Sequence, residues 1–556
     1  MKIIAESAFN HNGNVDYLFK LAESSQQAGA DYFTVQVMNA RDFSVPDYSK
    51  YQLYIENEIS FKNWEKLFNY CKQMGINVLP CILDEASFEF CYSYGFRFFK
   101  IHATDIVNEP FLKLLAARND CRYMLETQVA TNFDIQFAFS FLKDKIECLI
   151  NGYSNYPTEI EDLNLNVFDS LKRDYGVKVG YADHSVDCTE IPLMILAKGY
   201  EYLEKHITLT RNNRNFDWQV SLYPNQFKRM VATIRHYEMA LGSGVKHPVK
   251  NELPYRNVIY KKVVGDNVLR RADKGFDFLT EKFNSFNNKN VVIALIARLK
   301  SQRLPLKVLK PFLNDILIVD LYNRLKASKY ASSVFLATSW LPEDSRLVDE
   351  MEKRNIPVFK GHPVSVIDRL LSLAWQQRAG AIFRVTGDNP FTDVRLIDEM
   401  ILLLQKNDLD YVRANNVPFG TSAELFSTKY LWDLYLRMDN PMNSEYLSWF
   451  IINDKNIKMG CIDVESSVPD LDSINFSVDY PEDLENCYLM LKKIGKEQIA
   501  QIDLSDIIRY NEGFPRIDLS KEMKLPEGKK IKTRSFLNLF RDANYFVRKK
   551  YVINLQ

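Results

Sequence analysis

The first 245 residues repeat one pattern eight times: a short apolar run followed by an amphipathic stretch of helical period. The apolar runs are rich in Ile, Val, Phe and Tyr and begin near residues 2, 31, 77, 96, 122, 146, 178 and 200. Strands that are apolar on both faces are typical of a parallel sheet covered by helices. Eight such units predict a closed (β/α)8 barrel over residues 1–245.

Polar side chains collect where these apolar runs end, which is the part of a barrel that carries function. His184 closes the seventh run in VGYADHS, and His206 follows 22 residues later in YLEKHITL. Because these runs are neighbouring strands, both imidazoles are expected on one rim, where they can share a metal ion. His102, which ends the fourth run, is expected to be a hydrogen-bonded structural residue.

Composition limits what the whole chain can be. A length of 556 residues exceeds one ordinary core and predicts two to four domains. The 71 basic side chains balance the 71 acidic ones, so no net charge attracts a nucleic acid or an anionic membrane. No apolar run approaches the ~18 residues that span a membrane, and MKIIAESAFN does not predict a secretory signal. The eight cysteines form no CxxC pair, which predicts reduced thiols in a cytoplasmic protein.

Six motifs of the barrel occur in register with one known family. They are AESAFNHNG (5–13), AGADYFTVQ (28–36), FKIHATD (99–105), SNYPTEIEDLNL (154–165), VGYADHS (179–185) and LEKHITL (203–209). Residues 1–245 therefore resemble the sialic acid (N-acetylneuraminate) synthase family, including its spore-coat polysaccharide members. The resemblance implies condensation of phosphoenolpyruvate with the open-chain aldehyde of an N-acetylhexosamine-type amino sugar, which gives a 2-keto sugar acid.

The resemblance also implies roles for individual residues of the barrel. A divalent metal, Mn²⁺ or Mg²⁺, would be held by His184 and His206 and would polarise the aldehyde oxygen. Glu6 would lie beside the water on the metal side. The sugar would be contacted by Gln36, Asp105 and Asp217, and the pyruvyl group by Lys100 and Tyr156.

Four positions depart from the family at the expected phosphate site. Thr34 replaces a lysine, Cys81 a threonine, and Ala103 and Ala182 two serines. Each charge-assisted hydrogen bond to a phosphate contributes about 1.5–3 kcal/mol, so these losses weaken donor binding unless other groups substitute. Three interpretations stay open: a synthase with a rebuilt donor site, a related carbon–carbon bond enzyme with another donor, and a barrel that binds without catalysis.

The rest of the chain divides into three parts. Residues 246–288 are polar and predict a connector, and residues 289–496 alternate strands and helices as a three-layer α/β domain does. Residues 497–556 form a basic, aromatic tail, interpreted as a docking segment or a solvated helix. The fold class is thus α/β, with a TIM barrel followed by a Rossmann-like nucleotidyltransferase domain.

Cations and carboxylates of the second domain fall where nucleotidyl transfer needs them. ARLKSQRLPLKVLKP (297–311) places Arg298, Ser301, Arg303 and Lys307 on the loop after a strand, a pattern suited to a triphosphate. Asp388 and Asp479 each follow an apolar strand and are suitable ligands for Mg²⁺.

With ATSWLPED (337–344) and VFKGHPVSVIDR (358–369), these motifs resemble the cytidylyltransferase family of spore-coat polysaccharide biosynthesis. The resemblance implies in-line attack of a sugar hydroxyl on CTP. Mg²⁺ would be held by Asp388 and Asp479, and the departing pyrophosphate would be stabilised by Arg298, Arg303 and Lys307. The nucleotide would lie near Gly361 and Asp368, and the sugar near Glu424 and Glu445.

This second resemblance is also imperfect. Lys300 and Leu306 stand where the family has glycines, and Ser422 replaces an aspartate. Cytidine is implied by the family alone, since no residue of the sequence excludes uridine.

The two halves together predict a cytoplasmic, homo-oligomeric, bifunctional enzyme that makes a sialic-acid-like keto-sugar acid and attaches CMP to it. Its partners would be small molecules (phosphoenolpyruvate, an amino sugar, CTP and the keto-sugar acid), without nucleic acid or membrane. The alternative is a nucleotidyltransferase whose barrel is non-catalytic or uses a different donor.

Overall fold

The computed structural model describes residues 1–211, 216–264, 268–270, 278–514 and 516–553, and the chain divides into two compact units, Met1–Gly244 and Val245–Gln556. No helix of the described residues has the length and apolarity that crossing a membrane requires.

The first unit is a closed barrel of eight parallel strands in sequential order, which confirms the predicted fold. The strands are β1 (Lys2–Glu6), β2 (Tyr32–Val37), β3 (Val78–Ile82), β4 (Phe98–Ile101), β5 (Arg122–Glu126), β6 (Ile146–Gly152), β7 (Lys178–Ala182) and β8 (Tyr202–His206). The helices are α1 (Val15–Gln27), α2 (Ala40–Phe43), α3 (Tyr51–Asn57), α4 (Phe61–Met74), α5 (Glu85–Tyr94), α6 (Glu109–Ala116), α7 (Asn132–Leu142), α8 (Val167–Tyr175), α9 (Glu190–Lys198) and α10 (Pro224–Glu238).

Alternation along the strands divides the barrel into an inner and an outer core. The outer core lies between strands and helices and includes Ile3 and Ala5, whereas Ile4 packs inside the barrel with residues such as Met124 and Tyr202. Successive side chains of a strand point to opposite faces, so every second residue of β1 and β8 faces the interior. In the register that pairs β1 with β8, Glu6 lies opposite His206.

The second unit is built on an eight-stranded mixed sheet of order β13-β12-β11-β14-β16-β15-β17-β20. Its strands are β11 (Val291–Ile296), β12 (Ser333–Ser339), β13 (Val358–Gly361), β14 (Ala381–Thr386), β15 (Tyr411–Asn415), β16 (Glu424–Ser427), β17 (Met459–Glu465) and β20 (Val547–Val552). Only β16 runs antiparallel to its neighbours among the described strands of this sheet. Two antiparallel pairs lie outside it, β9 (Lys262–Val264) with β10 (Val268–Arg270) and β18 (Glu522–Lys524) with β19 (Lys530–Lys532).

Helices cover both faces of the large sheet, as the alternation of strands and helices predicts. They are α11 (Leu253–Ile259), α12 (Phe278–Ser285), α13 (Leu317–Leu325), α14 (Ser345–Glu352), α15 (Val366–Gln377), α16 (Val394–Asn407), α17 (Thr428–Arg437), α18 (Leu447–Ile452), α19 (Pro481–Ile494), α20 (Leu504–Arg509) and α21 (Thr533–Arg541).

The structure corrects the predicted limits of the second domain at both ends. Residues 497–556 are not a separate tail, because β20 pairs with β17 and completes the edge of the sheet, while Phe540 of α21 is buried in the core. The described residues of the predicted connector (246–264, 268–270 and 278–288) are part of the same unit, and Phe283 of α12 packs into that core. Residues 265–267 and 271–277 of the connector lie outside the described residues.

Candidate active sites

Two imidazoles meet at the rim of the barrel, as the sequence predicts. The ring centroids of His184 and His206 are 5.2 Å apart, and the ring of Tyr156 lies 4.4 Å from that of His184. Both histidines are buried at the strand ends. Asp217 joins them, with its Oδ2 3.8 Å from Nδ1 of His206. The predicted residues His184, His206, Tyr156 and Asp217 therefore form one group.

The surroundings keep both imidazoles neutral. Burial lowers the pKa of His184 to about 4, and burial together with His184 holds the pKa of His206 well below its usual range. Nδ1 of His184 lies 2.7 Å from the carbonyl oxygen of Tyr153, which fixes the tautomer and leaves Nε2 with a free lone pair. Nδ1 of His206 is buried without a hydrogen-bond partner in the described part of the chain.

These features fit a divalent cation held by two neutral imidazoles. His206 has a buried ring nitrogen without a hydrogen-bond partner among the described residues, and the tautomer of His184 is fixed. Both properties are expected of imidazoles that bind a metal. Among the described residues, no group of three or more His, Cys, Asp or Glu side chains has the arrangement of a metal site. Water and substrate would have to supply the remaining ligands.

Deeper in the barrel, Lys100 is surrounded by three carboxylates. Its Nζ lies 2.9 Å from Glu6, 2.6 Å from Glu126 and 2.7 Å from Glu204. All four side chains are almost fully buried. The second oxygen of Glu6 accepts the backbone N–H of Ala8, and Glu126 accepts that of Ala103. The cluster is thus fixed by backbone as well as by charge.

Charges within this cluster determine how it is protonated. Burial opposes the ammonium of Lys100, but Glu126, Glu204 and Glu6 outweigh burial and hold its pKa well above the usual range. Burial also opposes ionisation of Glu126, yet Lys100 and His102 lower its pKa to about 2. Burial raises the pKa of Glu204 to about 8, with Glu6 and Glu126 adding to the effect against the pull of Lys100.

Two predicted sugar contacts of the barrel lie outside these groups. Asp105 lines a neighbouring cleft of about 880 Å³ beside Tyr48, Tyr54 and Asp84, and it accepts hydrogen bonds from Thr104 and Asn108. Gln36 is half-buried on β2, where it pairs in register with Cys81.

Sequence reasoning missed Glu204 and gave Glu126 no role. Both follow the alternation of their strands: Glu204 is two residues before His206, and Glu126 is two residues after the interior Met124. The same alternation sends Lys205 to the outer side, where it donates to Asp183 and Ser185. An acidic residue two positions from a predicted interior residue on the same strand could therefore have been predicted to face the barrel interior.

In the second unit, Lys307 brings the two predicted magnesium ligands together. Its Nζ donates to Asp388 at 2.6 Å and to Asp479 at 2.9 Å. Arg303 also contacts Asp479, at 3.0 Å. Asp388 and Asp479 would be suitable ligands for a divalent cation at this position, since oxygen ligands are those that Mg²⁺ prefers.

The other cations of the predicted triphosphate loop are less directly placed. Arg298 donates to the carbonyl oxygen of Pro363, and its Nε lies 3.7 Å from Asp344. The hydroxyl of Ser301 accepts the backbone N–H of Leu304, which tightens the loop. Asp344 also accepts the N–H of Leu299, so this buried carboxylate, which the sequence did not single out, fixes the start of the loop.

Four further predicted residues have different surroundings. Gly361 is needed for packing, because a Cβ there would lie 2.9 Å from the side chain of Arg369. Asp368 lines a different cavity, with His247 and Tyr435, and not the cleft that contains Asp479. The carboxylate of Glu424 is bound by Arg384, Tyr411 and Ser448, whereas the exposed Glu445 contacts Arg384 only through its carbonyl oxygen.

Comparison with known proteins agrees with both halves. Residues 23–246 match the model of the NeuB family, and residues 292–502 match that of the cytidylyltransferases. The chain is 29% identical to the N,N'-diacetyllegionaminic acid synthase of Campylobacter jejuni subsp. jejuni serotype O:2, over 49% of this chain and 86% of the relative. It is 30% identical to the pseudaminic acid synthase of the same organism, over 44% and 75% of the two chains. A solved cytidylyltransferase from Leptospira borgpetersenii serovar Hardjo-bovis is 23% identical, covering 39% of this chain and 91% of that one, with a TM-score of 0.36.

A barrel with paired imidazoles, followed by a sheet domain with paired carboxylates and a basic loop, defines a transferase with two domains. Its substrates are small molecules. The chain belongs to the NeuB family through its barrel and carries a cytidylyltransferase domain after it. It is a bifunctional enzyme of nonulosonic acid biosynthesis, with a synthase-like half and a cytidylyltransferase half.

Proposed function

We propose that the barrel condenses phosphoenolpyruvate with the aldehyde of an N-acetylhexosamine-type sugar, and that the second domain transfers CMP from CTP to the resulting keto-sugar acid. The observation that carries the proposal is the union, in one chain, of the His184–His206 pair with the Lys307–Asp388–Asp479 group. The relatives named as legionaminic and pseudaminic acid synthases support the class of sugar. We place the enzyme in the cytoplasm as a homo-oligomer that binds neither nucleic acid nor membrane.

In the barrel, His184 and His206 would hold Mn²⁺ or Mg²⁺, which supplies Lewis-acid polarisation of the aldehyde when it is bound. The carbonyl oxygen of Tyr153 orients His184 for this role. Lys100 holds Glu6 in place near the rim, and the ring of Tyr156 packs against that of His184. Asp217, whose pKa burial and Glu6 raise to about 6, is placed to exchange a proton with a sugar hydroxyl near neutral pH.

In the second domain, Asp388 and Asp479 would hold Mg²⁺, which neutralises charge on the triphosphate when it is bound. Lys307 and Arg303 lie against these carboxylates and are placed to stabilise the departing pyrophosphate. Catalysis of this kind depends mainly on positioning and on charge neutralisation.

The two reactions are tested separately on the full chain. Phosphate release is measured with phosphoenolpyruvate, Mn²⁺ and N-acetylmannosamine-type sugars, and pyrophosphate release with each nucleoside triphosphate and a panel of 2-keto sugar acids. Release of phosphate from at least one sugar, and of pyrophosphate from CTP above other nucleotides, is expected. If none of the sugars in the panel supports phosphate release, the proposed condensation in the barrel is contradicted.

The ionic cluster favours a second candidate, a barrel that takes a donor without a phosphate group. The buried lysines Lys100 and Lys205 are both paired with carboxylates, and Glu126 already occupies the backbone N–H of Ala103. An incoming phosphate would meet carboxylates where it needs cations. The two candidates differ in calorimetry: the first predicts that the wild-type chain binds phosphoenolpyruvate, and the second that it does not.

A further inference from the structure

The C-terminal segment forms one wall of a cleft at the nucleotidyl-transfer site. The cleft has a volume of about 780 Å³, and residues from the central strands and the carboxylate group line one side, among them Arg303, Arg384, Arg413 and Asp479. The opposite side comes from the β18–β19 pair and α21, including Lys521, Met523, Thr533, Phe536 and Arg541. This wall lies beyond residue 502, where the match to the cytidylyltransferase family ends.

The wall is fixed to the domain at both of its ends. At the start, Arg516 donates to the hydroxyl of Ser473 at 2.6 Å. At the end, Phe540 is 1% exposed, and the guanidinium carbon of Arg413 lies 3.9 Å from the centroid of its ring. Between them, the carbonyl oxygen of Lys521 accepts two hydrogen bonds from Thr533. The backbone of Lys521 therefore has a defined position at the cleft, and its exposed side chain lines that cleft.

Most cations of the cleft form close ion pairs within the protein, but among the described residues two do not. Arg303 pairs with Asp479, Arg384 with Glu424, and Arg541 with Asp472. The charged nitrogens of Arg413 and Lys521 have no carboxylate within 4.0 Å in the described part of the chain. One of these cations comes from the central sheet and the other from the C-terminal wall.

The same cleft also contains buried polar atoms without partners. Arg384 Nε, Asn389 Oδ1 and Asp472 Oδ1 are buried and make no hydrogen bond to the described residues. All three residues line the cleft. Buried polar atoms normally have partners, so donors and acceptors left open around one cleft indicate a polar ligand. Hydroxyl groups of a sugar would satisfy both kinds of atom.

We propose that this cleft is the acceptor site and that Lys521, with Arg413, binds the carboxylate of the acceptor sugar acid. The inference rests on the proposed function, because it assigns the acceptor of the CMP transfer. Lys521 is thereby a specificity-determining residue that the C-terminal segment supplies to a domain of known family. We assign the acceptor carboxylate and not the triphosphate to this pair, because the proposed function gives the triphosphate to Arg303 and Lys307 of the basic loop.

The test compares Lys521→Gln with Lys524→Gln in the full chain. Lys524, at the end of β18 and three residues after Lys521, is also exposed but does not line the cleft, so it is a matched control. Pyrophosphate release is measured for the 2-keto sugar acid that gives the highest wild-type rate, and for its methyl ester, with CTP and Mg²⁺. Lys521→Gln is expected to raise KM for the free acid about tenfold, because a charge-assisted hydrogen bond is lost. KM for CTP should not change.

The methyl ester distinguishes recognition of the carboxylate from a general loss of structure. The wild-type enzyme should have a KM for the ester about tenfold higher than for the free acid. In Lys521→Gln the two KM values should be nearly equal. An equal KM for the free acid in Lys521→Gln and Lys524→Gln overturns the inference, as does an unchanged preference for acid over ester. If none of the sugar acids tested supports pyrophosphate release by the wild-type enzyme, that result contradicts the proposed function itself.

Discussion

At the scale of the residue, Lys100 holds together a charge cluster that the barrel cannot tolerate without it. The side chain is 1% exposed and touches Glu6, Glu126 and Glu204. Removing one partner of a buried ionic group leaves uncompensated charge, which costs about 3–5 kcal/mol. Lys100→Met should therefore destabilise the barrel by about this amount in urea unfolding at pH 7.

A second substitution separates lost charge from lost packing. Adding Glu126→Gln and Glu204→Gln to Lys100→Met removes two of the three stranded carboxyls, so most of the stability should return. If Lys100→Met has the same urea midpoint as the wild-type chain, the charge of Lys100 does not stabilise the barrel.

Burial of His11 links stability to pH. Its Nδ1 accepts the N–H of Gly13, and burial lowers its pKa to about 4. In the unfolded chain the pKa is about 6.5, so between these values the unfolded state binds the proton and the folded state does not. Stability should therefore fall as pH drops from about 6.5 to about 4, by up to ~3 kcal/mol from this group.

His11→Asn isolates this contribution, because the amide oxygen can accept the same hydrogen bond without titrating. His184 titrates over the same range in both proteins, so the difference between the two unfolding curves reports His11 alone. A difference in free energy of unfolding that stays constant from pH 7 to pH 4 would contradict the prediction.

Leu306 adopts a backbone conformation that favours glycine. Its φ is +56°, in the left-handed region, where a side chain costs about 1–2 kcal/mol. Glycine loses about 0.5–1 kcal/mol more entropy on folding. Leu306→Gly should therefore stabilise the second unit by about 0.5–1 kcal/mol in thermal or urea unfolding.

Lys300 is the control, since it too replaces a glycine of the family but does not have a positive φ. Lys300→Gly should destabilise slightly, by about 0.5–1 kcal/mol. Equal effects of the two substitutions would mean that the strain at Leu306 is relieved elsewhere.

Much of the site could be predicted from residue type and position along a strand. The imidazole pair follows from two neighbouring strands ending in His184 and His206. The position of Asp368 could not be predicted, because it depends on how α15 is rotated about its axis against neighbouring helices. The partners of Lys100 come from three other strands, and no local pattern states which carboxylates converge inside a barrel.

At the scale of the element, the C-terminal strand shows why an edge is difficult to recognise from sequence. β20 has the sequence VRKKYV and, among the described strands, pairs with β17 alone. Edge strands often carry charged residues, which prevent pairing with other chains and also hide the alternation of a strand. The eight barrel strands, buried on both sides, kept their apolar pattern and were predicted at nearly their observed positions.

Two phenylalanines of the C-terminal segment test whether it is part of the fold. Phe540 is 1% exposed and packs in the core, whereas Phe546 is 65% exposed. Phe540→Ala should cost about 3–5 kcal/mol through lost burial and the cavity left behind. Phe546→Ala should change stability by no more than about 0.5 kcal/mol. Urea unfolding followed by tryptophan fluorescence measures both, and similar small effects would mean that the segment does not share the core.

At the scale of the whole molecule, each unit has a hydrophobic core of its own. The barrel core contains residues such as Phe33 and Phe88, and the core of the second unit contains residues such as Leu295 and Phe383. Unit boundaries fall between Gly244 and Val245. A unit that buries its own core is expected to fold by itself.

Expressed separately, residues 1–244 and 245–556 should therefore each unfold in one cooperative transition. Fragment 245–556 should transfer CMP to a supplied keto-sugar acid at a rate close to that of the full chain, because the Lys307 group and the C-terminal wall both lie within it.

In the full chain, replacing His184 and His206 by alanine should reduce phosphate release at least ~100-fold, while CMP transfer to the supplied acid is unchanged. Loss of CMP transfer in this double variant would mean that the cytidylyltransferase half depends on an intact barrel rim, so the two activities would not be separable in the way that their separate cores require.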